Sequence, residues 1–242
     1  MRIVIWNCAM SLHTKWDFLV NLRPDLAVIA ECAEPSILWS KLKYEPVCDV
    51  QWVGDNRNKG LGVFAFTGFS LERDHCYDSN FKQFLPVNVS GKPSISLLAV
   101  WSFNGRRKDA PRCSYSAETI SAIDYYKQFL GTCHSVIAGD FNNSVVWDHQ
   151  SKAYNFSAIA SRLNQIGLTS AYHDFKGVSF GAELDQTLFF RKSALEYHIG
   201  YCFIPQCWNV NDVVVGRREQ WIGISDHAPL LVDCIDNDEE AV

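Results

Sequence analysis

Short apolar runs that each stop at a polar side chain narrow most sharply what this chain can fold into. RIVIWN (2–7) ends at Asn7, LAVIAE (26–31) ends at Glu31, and SVIAG (135–139) runs into Asp140 and Asn142. ISLLAVWSF (95–103) leads to Asn104, and Asp226 with His227 precedes APLLVDC. β-Branched and apolar residues at this density favour strands. Polar groups at strand ends of α/β proteins sit in loops that open on one face of the scaffold.

The segments between these runs set the architecture. Leu12, Trp16, Leu19 and Val20 recur at helical spacing until Pro24 stops them. Strands are predicted around VQWVG and LGVFAF, parted by the turn-rich DNRNKG. Another pair, FLPVNV and ISLLAVWSF, flanks the hairpin-like SGKP. A helix is predicted from Ser116 to Leu130, with Ser116 as N-cap and Gly131 as stop, and a second over 156–166, ending at Gly167. TLFF, HIGYCFIP, VNDVVVG and HAPLLVDCI read as further strands. Strands outnumber helices, hairpins occur in both halves, and βαβ alternation is irregular. That pattern predicts mixed sheets packed face to face with helices outside. No repeat or linker divides the chain, so residues 1–235 are expected to form one domain, followed by a frayed acidic tail (236–242).

Composition removes some classes of function. With 242 residues, 48% of them hydrophobic, the chain can bury a sizeable core. No apolar run approaches a membrane span. The start MRIVIWNC enters a strand at once, without a charged region followed by a long apolar stretch, so no secretion signal is expected. The nine cysteines are scattered singly, and Cys8, Cys32, Cys202 and Cys234 lie in apolar runs. Reduced thiols in a cytoplasmic protein are expected, and no CxxC pair supports zinc at His198, Cys202 and Cys207. A net charge of −5 gives no support to wrapping a long polyanion. Three short basic stretches stand against that total: Arg106, Arg107, Lys108 and Arg112; Arg191 and Lys192; Arg217 and Arg218.

Each polar strand end has an ordinary explanation alone. Asp and Asn form turns, a Glu after a strand is usually solvated, and a lone His is more often structural. Together, three carboxylates, three amides and an imidazole make a hard-oxygen site suited to Mg²⁺, with a donor for an anionic transition state.

WN (6–7), AE (30–31), GDFN (139–142) and SDHAPL (225–230) stand in the order and approximate spacing of the endonuclease/exonuclease/phosphatase (DNase I-like) superfamily, which the chain resembles from residue 6 to residue 230. The resemblance implies a four-layered α/β sandwich of two facing mixed sheets flanked by helices. It also implies Mg²⁺-dependent hydrolysis of a phosphoric ester by in-line water, with Mn²⁺ as a substitute ion. Glu31 would be the principal metal ligand, with Asn7 and Asp226 beside it. Asp140 would orient or deprotonate the water, Asn142 would hold the phosphate or that water, and His227 would bind a non-bridging oxygen.

Two positions depart from the family pattern. Trp101 stands where nuclease branches carry His or Tyr, and indole donates one hydrogen bond but shuttles no proton. It reads equally as a core or rim tryptophan and as a phosphate contact. Asn104, three residues on, matches an amide of the AP-endonuclease branch. The second departure is Gly200, where the family normally has the Asp that orients the catalytic His. Loss of such a partner elsewhere costs about 10²–10⁴ in rate. The readings left open are a weakened enzyme, replacement by Asp185, Asp212 or water, and a protein that only binds. Arg106 and Arg107 follow the Trp101 strand and would rim the same face. The expected substrate is nucleic acid; the alternatives are a small phosphoester and catalytically silent binding. No membrane and no obligate protein partner are expected.

Overall fold

The structure is a computed structural model that describes residues 1–102, 115–149, 154–190 and 194–235. The first half of the chain forms β1 (Arg2–Asn7), β2 (Leu26–Cys32), β3 (Asp49–Asn56), β4 (Lys59–Ala65), β5 (Ser70–Arg73), β6 (Phe84–Ser90) and β7 (Ile95–Trp101). The second half adds β8 (Ser135–Asp140), β9 (Leu168–Ser170), β10 (Leu188–Phe189), β11 (Glu196–Tyr197), β12 (Gly200–Pro205), β13 (Asn209–Val215) and β14 (Leu230–Ile235). The helices are α1 (Trp16–Asn21), α2 (Pro35–Leu42), α3 (Tyr115–Tyr125), α4 (Lys127–Leu130), α5 (Phe156–Gln165), α6 (Ala171–Lys176) and α7 (Arg218–Trp221).

Two six-stranded sheets result, ordered β13-β14-β1-β2-β4-β3 and β5-β6-β7-β8-β12-β9. In each, one central pair is parallel, β1 with β2 and β7 with β8, and the other pairs are antiparallel. The strands of the parallel pairs are buried almost throughout; β8 is buried at every position, as is the neighbouring β12, and β2 at all but Glu31. Strands covered on both faces have no polar face to show, which is why these runs read as continuous apolar sequence.

The sheets face each other through β1, β2 and β4 against β7 and β8. Helices cover both outer faces. Trp16 of α1 meets Phe64 edge-to-face at 5.6 Å, and Phe156 of α5 stacks on Tyr201 of β12 at 4.5 Å. The order is helix, sheet, sheet, helix, as the strand pattern predicts. Gly139 shows how tightly the second sheet is drawn together. Its φ is +152°, and a Cβ there would lie 1.8 Å from the Val100 carbonyl oxygen. No side chain fits that approach.

Several local expectations need correction. The 116–130 helix breaks at Tyr126 into α3 and α4, and Ser116 lies inside α3, not at its cap. Its hydroxyl accepts a hydrogen bond from Asn143 Nδ2 instead. TLFF contributes only the two residues of β10, which pair with β11 as a ribbon outside both sheets. Helices α2 and α6 and strand β9 were absent from the sequence reading, each being too short to show a period. Cys8, Cys32, Cys202 and Cys234 are buried free thiols, and burial pushes those of Cys8 and Cys234 up to about 12. No described helix is long and apolar enough to cross a membrane. Asn104, Arg106, Arg107, Arg191, Lys192 and the 236–242 tail lie outside the described residues.

Candidate active site

Parallel pairing brings the polar strand ends together. The register of β1 with β2 sets Asn7 beside Ala30, next to Glu31, and that of β7 with β8 sets Trp101 beside Asp140. Across the gap between the sheets, Asn7 Nδ2 donates to Asp140 Oδ2 at 2.9 Å and lies 3.4 Å from Glu31 Oε1. Asn7 Oδ1 accepts from the Ala9 N–H at 3.0 Å, which holds the amide nitrogen toward the two carboxylates.

Glu31 leaves the alternation of its strand. Its φ is +61°, and the β2–β4 register shifts between Ala30 and Cys32, so Glu31 sits on a bulge. A left-handed glutamate is strained backbone, and the surrounding ladder holds it. Its Oε2 pairs with Lys59 Nζ at 3.1 Å, and Lys59 Nζ in turn lies 5.4 Å from the centre of the Trp101 ring. Trp101 itself is 7% exposed.

Asp140 is 3% exposed. Its Oδ1 accepts from the Asn142 N–H at 3.0 Å and its Oδ2 from Asn142 Nδ2 at 3.2 Å. Asn142 is itself left-handed, with φ +48°, and its Nδ2 also donates to the Ser102 carbonyl at 2.9 Å. Burial pushes the Asp140 carboxyl above its ordinary value. His227 and the hydrogen bonds from Asn7 and Asn142 oppose the rise, and Glu31 adds to it.

The other end of the site is held differently. Ser225 Oγ donates to the Asn7 carbonyl at 2.9 Å and accepts from the His227 N–H at 3.1 Å. Trp6 Nε1 donates to the His227 carbonyl at 2.9 Å, the Ala228 N–H to Thr187 O at 3.0 Å, and the Phe189 N–H to Asp226 O at 2.7 Å. These bonds fix the backbone of 225–228. Among the described residues no side chain hydrogen-bonds to the His227 ring, which is buried close enough to Asp140 to act on its charge.

Gly200 pairs directly with Asp140 across β12 and β8. A Cβ at this position would meet the Thr187 side chain at 3.5–3.7 Å, ordinary van der Waals contact. Thr187 Oγ1 accepts from the N–H groups of Ile199 and Gly200 at 2.8 and 2.9 Å. The strap 185–189 therefore ties β12 to the His227 segment. Neither acid offered by the sequence replaces the missing carboxylate. Asp185 takes the Tyr172 hydroxyl at 3.1 Å and Lys176 at 3.7 Å, while Asp212 pairs with Asp233 toward the Arg2 end of the sheet, away from Asn7. Asp226 is half-buried, with its backbone carbonyl in the strap. Arg218 is engaged by Glu196 at 2.8 Å.

Among the described residues no three His, Cys, Asp or Glu side chains gather closely enough to enclose an ion. Mg²⁺ does not need such a cage; it keeps waters and takes one or two carboxylates with substrate phosphate. Glu31 and Asp140, joined through one amide, fit that mode, and an ammonium already balances the Glu31 charge. Sequence reasoning missed Lys59, Ser102 and Thr187. Each acts through a partner far away in the chain, so nothing in its own neighbourhood marks it. Ser225 stands in the SDHAPL motif, but its bond to Asn7 spans 218 positions.

No family model and no curated protein matches the sequence. Solved structures do match over their whole length. A 3′-5′ exonuclease (NExo) from Neisseria meningitidis is 19% identical, with 96% of this chain and 99% of that one covered at a TM-score of 0.65. An AP endonuclease from Archaeoglobus fulgidus is 12% identical, with 98% and 99% covered at 0.67. TDP2 from D. rerio, complexed with a single-strand DNA product, is 11% identical, with 97% and 98% covered at 0.66. Two facing six-stranded mixed sheets between helices, superposing end to end on these structures, give the chain the fold of the endonuclease/exonuclease/phosphatase, or DNase I-like, superfamily.

Proposed function

We propose that this protein is a Mg²⁺-dependent phosphodiester hydrolase acting on nucleic acid in the reducing cytoplasm. The observation that carries this reading is the amide of Asn7 joining Glu31 and Asp140 across the two sheets, with His227 beside them. The fold neighbours add support, since they include an exonuclease, an AP endonuclease and a complex with a DNA product.

Glu31 would be the main ligand of the ion, with Asn7 and Asp226 beside it, and Mn²⁺ would serve in its place. The ion, when bound, supplies charge neutralisation at the phosphate oxygens. Asp140 Oδ receives the proton of the attacking water; a carboxyl raised by burial is the better proton acceptor. Asn142, anchored on Ser102 O, holds that water or the phosphate. The His227 ring donates to a non-bridging oxygen as charge develops there. Trp101 walls the substrate side, with Asn104, Arg106 and Arg107 assigned to substrate from the sequence.

Gly200 favours a second reading, a protein whose turnover is weak because, among the described residues, no carboxylate hydrogen-bonds to the His227 ring to orient it. The net charge of −5 leaves room for a small phosphoester as substrate. One experiment separates these. Single-stranded DNA, plasmid, RNA and a chromogenic phosphodiester are incubated with Mg²⁺ or with EDTA. Cleavage of nucleic acid only with Mg²⁺ is the expected result. Turnover of the small ester alone would replace the substrate, and binding without turnover of any of them would replace the enzyme.

A further inference from the structure

Lys59 opens β4 beside Glu31, with its ammonium 3.1 Å from Oε2 and over the Trp101 ring. The same residue lines a pocket of about 170 Å³ together with Asp55, Asn56, Lys82, Gln83 and Trp101. Lys82, at the far wall, is half exposed and pairs with Asp55 at 2.9 and 3.0 Å. The carboxylate that suits a divalent ion is thus already paired, and its partner borders a pocket whose wall also carries a second lysine and the aspartate that pairs with it.

A divalent ion and an ammonium cannot share Glu31 Oε2 at contact distance. A +2 and a +1 charge held on one carboxylate oxygen repel each other, and more strongly beside a partly buried carboxylate than in water. The Lys59 ammonium lies over the indole, and both residues line the pocket. We propose that Lys59 holds the cation's place on Glu31 in the metal-free protein. Displaced by the cation, it turns into the pocket and with Lys82 forms a subsite for a second phosphate of the substrate. This rests on reading the site as a metal-dependent phosphodiester hydrolase. It narrows the substrate to a chain in which another phosphate neighbours the one being cut, as in an oligonucleotide.

Reductive ¹³C-methylation gives each lysine its own resonance, and the Lys59 signal is the one missing from Lys59→Arg. Mg²⁺ should shift that signal, and thymidine 3′,5′-bisphosphate added to the Mg²⁺-loaded protein should shift it again. Mn²⁺ binding followed by electron paramagnetic resonance should tighten about three- to tenfold in Lys59→Met, where the competitor is gone. Lys82→Met should weaken bisphosphate binding by a similar factor. Mn²⁺ binding that leaves the Lys59 resonance unmoved, or an unchanged affinity in Lys59→Met, overturns the exchange alone. A bisphosphate that binds Lys82→Met as tightly as the parent protein overturns the subsite. A protein that binds no Mn²⁺ loses both this proposal and the hydrolase reading.

Discussion

The carboxylate end and the imidazole end of the cleft are built on different principles. At the first, Asn7, Glu31, Asp140 and Asn142 bond to one another side chain to side chain, and both Glu31 and Asn142 are held in left-handed backbone. At the second, the Trp6 indole and the Ser225 hydroxyl bond to the backbone of His227 and the Ala228 N–H to the Thr187 carbonyl, which places the segment, while the ring has no side-chain partner among the described residues. Side-chain wiring fixes an atom; backbone wiring fixes only where a side chain begins. The carboxylate end is therefore preorganised, and the imidazole end is preorganised only as far as its Cβ.

The largest test of this contrast is kinetic. Asp140→Asn should lower kcat about 10²–10⁴-fold, the range of a positioned proton acceptor. His227→Gln should cost about tenfold, because an unoriented imidazole has less to lose. Equal losses in steady-state assays would mean that something else orients His227.

Next comes the strap that carries the imidazole end. Thr187→Val should destabilise the fold by ~3 kcal/mol, since it leaves the buried N–H groups of Ile199 and Gly200 without an acceptor. Thr187→Ser should cost under half of that in urea unfolding. Equal losses in the two variants would show that shape, not the hydroxyl, is what matters.

A pH series probes the same strap. His198 donates from Nδ1 to the Asp185 carbonyl at 2.8 Å, and burial holds its pKa down at about 4. Below the ordinary imidazole value of 6.5, the unfolded chain takes up a proton that the folded chain refuses. The stability His198 permits is complete above that value and is lost as pH falls toward 4, by ~3 kcal/mol at most. Unfolding midpoints between pH 7 and 4.5 should fall less steeply in His198→Asn. Parallel slopes would place the acid sensitivity elsewhere.

The smallest expected effect sharpens the comparison most. Gly200→Asp has room for its Cβ beside Thr187 and should raise Mg²⁺-dependent turnover about tenfold by giving the imidazole a partner. No gain in kcat, with Mn²⁺ affinity intact, would show that position 200 does not limit the reaction.

Much of the candidate site was legible in the chain because its polar groups sit where apolar runs end. Asn7 and Asp140 close two buried strands and Glu31 stands one residue before the end of a third, and a strand buried on both faces announces its own limits. The sandwich followed from the same runs together with the two hairpins. The short pieces were illegible: α2, α6 and β9 hold too few residues to display a period. The break at Tyr126 was hidden because α3 and α4 together keep one apolar face against Phe81 and Phe84.

What the amino-acid sequence determined by itself was the set of groups: the strands, the carboxylates, amides and imidazole at their ends, and the glycine at 200. Which groups touch was decided only by the tertiary structure. Asn7 meets Asp140 across 133 positions of chain because two sheets pack face to face, and Trp6 meets His227 across 221 because β1 and β14 pair within one sheet. The pairing of Lys59 with Glu31 and the grip of Thr187 on Gly200 belong to that second kind. A local pattern records where a strand begins and ends, because burial acts residue by residue. It carries no record of what stands across the gap between two sheets, because that neighbour is set by the packing of the whole chain.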